Sequence, residues 1–65
     1  MYDSLLEMLI DTDILRDGYF MLDRRFVVEP AYNRIGFECE DIRYHEFVTF
    51  GNLDDVVRWL NQKRK

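Results

Sequence analysis

Apolar positions recur along the chain at two different periods. Leu5, Leu6, Leu9 and Ile10 fall at helical spacing near the start, with Ile14 in line to extend them. Ser4-Leu5-Leu6-Glu7 has the form of a capping box, in which the serine hydroxyl and the glutamate each satisfy a free backbone N–H. The pattern predicts a helix from about residue 4 to residue 11, with an extension to 15 left open. Asp11-Thr12-Asp13 is poor helix interior and Asp17-Gly18 signals a turn, so the helix is over by there.

From Tyr19 to Phe50 the pattern is that of strands. Tyr19 to Leu22 and Arg25 to Glu29 are short runs rich in aromatic and β-branched residues, joined by a turn at Asp23-Arg24 or merged into one bent strand. Pro30 marks a strand end or an edge. After a turn candidate at Asn33-Arg34, Ile35, Phe37 and Cys39 alternate with Gly36, Glu38 and Glu40 on the opposite face. A last strand is predicted from about Ile42 to Phe50. Its even positions are Ile42, Tyr44, Glu46, Val48 and Phe50, an apolar face interrupted by Glu46, for which a bulge or an interface would account.

The period lengthens again at the end. Asn52 is a good N-cap, Asp54 and Asp55 stand where the helix dipole favours anions, and Lys63-Arg64-Lys65 stand at the cationic end. Leu53, Val56, Val57 and Leu60 make the stripe of a helix lying on a sheet. The expected fold is α+β: an N-terminal helix, a three- to four-stranded antiparallel sheet, and a C-terminal helix packed on the sheet.

With 65 residues the chain holds a single compact domain, 1–65, too short for a doubly wound dinucleotide fold or a TIM barrel. At 48% hydrophobic residues it is not a disordered acidic tail, and its single cysteine excludes an internal disulfide. No apolar run approaches a membrane span and nothing at the start reads as a signal peptide, so a cytoplasmic protein is expected. Ten aromatics are more than so small a core can hide, which puts some on a contact surface.

The candidate chemistry is sparse. No lysine precedes Lys63, and Gly18, Gly36 and Gly51 are too far apart to cradle a phosphate. One cysteine and one histidine cannot complete a zinc site, and Cys39 reads as a buried hydrophobe. A Cys39/His45 nucleophile pair would need a third orienting group. Asp13 to Gly18 fails as a calcium loop, because its third position is Leu15 and its twelfth is Arg24. Glu38, Glu40 and Asp41 are a candidate magnesium site for a small hydrolase, against the simpler reading of a solvated strand face. No cofactor, no metal and no enzymatic activity are expected.

Charge carries what remains. Residues 1–57 hold all 13 acids and five arginines, for −8, while the last eight residues carry +4. Asp3, Glu7 and Asp11 fall on one line of the first helix, and Glu29, Glu38, Glu40, Asp41 and Glu46 concentrate acid on the sheet. These eight are the expected partner-binding residues, suited to the basic surface of a nucleic-acid-binding protein and unsuited to nucleic acid itself or to a membrane. In size, acidity and helix–strands–helix order the chain resembles the small proteins that phages and mobile elements encode against host defence, including anti-CRISPR proteins. That resemblance spans the whole chain, carries no residue role across, and implies non-enzymatic inhibition by occupying the place where a nuclease holds nucleic acid. The alternative is a homodimeric assembly module pairing through a strand edge or an aromatic face.

Overall fold

The structure, a computed structural model, describes residues 4–33 and 35–64. Asp3, the Ser4 hydroxyl of the expected capping box, and Arg34 lie outside the described residues. Helix α1 (Ser4–Asp17) runs through Asp11-Thr12-Asp13 rather than stopping there. Ile10 and Ile14 on either side pack into the core, and Asp13 pairs with Arg16 at 2.9 Å. Together these outweigh a penalty of roughly 0.5 kcal/mol per poorly suited residue. Gly18, at φ 89, ends the helix, its N–H donating to the Ile14 carbonyl at 2.9 Å.

Strands β1 (Phe20–Leu22), β2 (Phe26–Pro30), β3 (Phe37–Asp41) and β4 (Glu46–Phe50) form one antiparallel meander in chain order. The turn at Asp23-Arg24 is realised, with both residues at φ 56 and the Arg25 N–H closing onto the Leu22 carbonyl at 3.0 Å. Pro30 closes β2, beyond the reach of β1. Ile35 is exposed in the turn before β3 and does not share the inward face of Phe37 and Cys39. The last strand begins at Glu46, not Ile42. Residues 42–45 are a four-residue turn, with the Tyr44 N–H on the Asp41 carbonyl at 3.2 Å and His45 at φ 53, so β3 runs on to Asp41.

Helix α2 (Leu53–Lys63) starts as expected, with Asn52 Oδ1 accepting the Asp55 N–H at 2.9 Å. Both helices lie on one face of the sheet. Phe20, Phe26, Val28 and Cys39 point at Leu6 and Ile10 of α1 and at Val56, Val57 and Leu60 of α2. Trp59 meets Phe26 edge-on with ring centroids 5.6 Å apart. Tyr19, Tyr32, Tyr44 and Phe47 remain exposed. No helix among the described residues is long and apolar enough to cross a membrane.

Candidate functional site

Because both helices occupy one side, the alternate strand positions form an open face on the other. The register sets its rows: Met21 beside Val27, Glu40 and Phe47, then Glu29 beside Glu38 and Thr49. Glu29 and Glu38 are cross-strand partners, so two like charges stand directly opposite each other, an arrangement that costs stability. Glu38 and Glu40 follow two residues apart on the same face, about 7 Å by the strand rise. Among the described residues none of these three carboxylates has an ion-pair partner.

Phe47, 71% exposed, stands at the edge of this acidic group. Between them is a shallow depression of about 50 Å³ bounded by Val27, Glu29, Glu38, Cys39, Glu40 and Phe47. Small-molecule sites are typically ~300 Å³ or larger, so this one admits the end of a side chain and no more. The face therefore combines a small apolar patch with carboxylates that have no ion-pair partner among the described residues.

The other expected site residues are elsewhere. Asp41 has no exposed surface: it points to the helix side and accepts from Arg25, Nε to Oδ1 at 2.9 Å and Nη2 to Oδ2 at 2.8 Å. Adjacent strand residues point to opposite faces, so Asp41 cannot converge with Glu40 and Glu38 on a magnesium ion. No group of three metal-ligating side chains occurs among the described residues. Glu46 is also on the helix side, 2.6 Å from Lys63 Nζ, which resolves its interruption of an apolar strand face without a bulge. Lys63 thus pairs into the sheet and does more than complement the helix dipole, with Asp41 also within 3.9 Å.

The helix carboxylates are separated from the open face by the sheet. Asp11 is exposed on α1, whereas Glu7 is half-buried beside Asp54 of α2. Burial first, then the neighbouring charges of Asp54 and Asp11, raise the Glu7 carboxyl above its ordinary range. The seven described acids of the expected set therefore form no single ridge, and the open face gathers Glu29, Glu38 and Glu40. What the sequence reading missed there is Phe47, whose odd position in β4 already separates it from Val48 and Phe50. Cys39 is buried and its thiol is pushed up to about 12, which leaves it protonated at neutral pH and disarms a Cys39/His45 pair.

No protein family, curated protein or solved structure matches the chain.

Proposed function

We propose that this protein is a non-enzymatic binding module that inhibits or modulates a nucleic-acid-handling protein, such as a host-defence nuclease, through the open face of its sheet. The observation that carries the reading is the trio Glu29, Glu38 and Glu40, without an ion-pair partner among the described residues, beside exposed Phe47. Cations on a partner that normally bind phosphate would pair with the carboxylates, whose ~7 Å spacing along β3 is of the order of that between successive phosphates on a strand. Phe47 would fill an apolar site beside them, as the anchor that most interfaces need. Association of this kind is steered by charge and weakens as salt screens it over ~8–10 Å.

Pairing of two copies through this same face is disfavoured, because each would bring three uncompensated carboxylates to the contact. The test is capture from a lysate of the source cell on the immobilised protein, with and without competing DNA. The parallel arm uses the triple variant Glu29→Gln/Glu38→Gln/Glu40→Gln. Retention of a nucleic-acid-binding protein that DNA displaces and the variant loses is the expected result. Capture that ignores both DNA and the substitutions overturns the reading.

A further inference from the structure

Helix α1 is apolar on two sides. Leu6 and Ile10 are buried against the sheet and α2, and Ile14 packs beside them. On the outer side, Leu5 is 61% exposed, Met8 58%, Leu9 46% and Leu15 86%. Four large apolar side chains on one exposed helix face amount to on the order of 450 Å² of apolar patch, as large as the largest patch on a typical monomer, which is often functional. Their spacing is heptad-like. With Leu5 and Thr12 at position a, Met8 and Leu15 fall at d, Leu9 and Arg16 at e, and Asp11 at g. The buried residues Leu6 and Ile10 then occupy b and f, diametrically away from the seam.

The flanking charges choose the occupant. In a parallel pair of helices, position g of one meets e of the next heptad on the other, which places Asp11 against Arg16 of a second copy, twice by symmetry. An antiparallel pair sets g against g and would oppose Asp11 to its own mate. Asp11 is exposed and, among the described residues, has no ion-pair partner. Arg16 holds Asp13 at 2.9 Å and Asp17 at 3.0 Å on its own helix, and its guanidinium has donors left for another carboxylate.

We infer that α1 is the seam of a parallel homodimer, with Leu5, Met8, Thr12 and Leu15 in the contact and Asp11–Arg16 pairs along both flanks. This seam lies in the helix layer and leaves the open sheet face free, so it stands or falls independently of the proposed function. A seam of two heptads buries less than the ~800 Å² per partner of a standard interface, so dimerisation is weak and concentration-dependent.

The mass is measured by light scattering up to roughly 0.5 mM, above the micromolar range expected of an interface this small. A dimer is expected, and Met8→Lys/Leu15→Lys should return it to monomer with unchanged circular dichroism, since both side chains face solvent in the monomer. Asp11→Lys should weaken the dimer and the double variant Asp11→Lys/Arg16→Glu should restore it. Leu15→Cys reports orientation. In the parallel seam the two introduced thiols lie within disulfide reach and oxidise to a covalent dimer, whereas an antiparallel pairing centred near residue 10 separates them by about 15 Å. Buried Cys39 does not compete. A monomer at every concentration overturns the inference. So does a dimer that survives Met8→Lys/Leu15→Lys, and so does one that Leu15→Cys fails to cross-link.

Discussion

Arg25 grips Asp41 with two parallel hydrogen bonds, at 2.9 and 2.8 Å, from one end of the sheet's inner face. The guanidinium also lies 4.6 Å from the Phe26 ring centroid and 5.2 Å from that of Tyr44, within cation–π range of both rings. Lys63 and Glu46 continue the cluster, giving two cations and two carboxylates in alternation.

Asp41→Ala leaves Arg25 half-buried with its main partner gone, and it should lower stability by about 3 kcal/mol, a large part of the total for so small a domain. The Arg25 hydrogen bonds hold the Asp41 carboxyl below its ordinary pKa against the opposing effect of burial, with the Arg43 N–H and Lys63 assisting. An acid depressed in the folded state contributes stability that is present above its unfolded pKa and lost as pH falls through the folded one. Urea titrations should therefore show the gap between wild type and Asp41→Ala full at pH 7 and closing below about pH 4. A gap that stays constant with pH would mean that packing alone is being lost.

Glu7 has the opposite sign. Its pKa is raised by burial and by Asp54 and Asp11, so it contributes stability that is complete below its unfolded pKa and lost as pH rises through the folded value. Glu7→Gln should stabilise the protein at pH 7 and make no difference once the solution is acidic enough to protonate Glu7 in both states. Thermal melts across that range read the crossover directly, and a variant less stable at pH 7 would contradict the assignment.

Gly36 and Gly18 both take positive φ, 85 and 89, but for different reasons. A Cβ on Gly18 meets nothing, so Gly18→Ala should cost only the backbone strain of a helix cap, about 1 kcal/mol. A Cβ on Gly36 would run into the Phe50 carbonyl oxygen where the β2–β3 connection crosses the end of β4. The Gly36 carbonyl also accepts the Ala31 N–H at 3.1 Å, so the site cannot open freely. Gly36→Ala should cost about 3 kcal/mol or more, and equal melting points for the two alanine variants would contradict this.

Much of this architecture is visible in the chain because local signals and packing agree. Asn52 caps a helix whose Val56, Val57 and Leu60 stripe has one burial partner, and Phe37, Cys39, Glu38 and Glu40 alternate where one face is covered and the other is not. Signals fail where contacts remote in sequence decide. Asp41 reads as the third member of an acidic run, but its destiny depends on Arg25, sixteen residues away. Lys63 reads as a helix-end cation, and only the fold brings Glu46 to it. Strand parity could have separated Asp41 from Glu40, and Phe47 from Val48, without any structure. The outer face of α1 was hidden in another way, since Leu5 and Leu9 fit the same helical period as Leu6 and Ile10 and only burial tells the two sides apart.

Glu38 offers the sharpest separation of binding from folding. It stands directly across from Glu29, with Glu40 two residues along the same face and, among the described residues, no cation paired to any of them. Glu38→Lys converts a repulsive cross-strand pair into an attractive one, so it should raise stability by about 0.5 kcal/mol at low salt. The gain should shrink as added salt screens the exposed charges. If the open face serves only solubility, that substitution is harmless. If it holds the basic surface of a partner, the same substitution places a cation in the centre of the contact and should abolish capture while the melting point rises. A more stable Glu38→Lys variant that still captured the partner would remove the open face from the proposed mechanism.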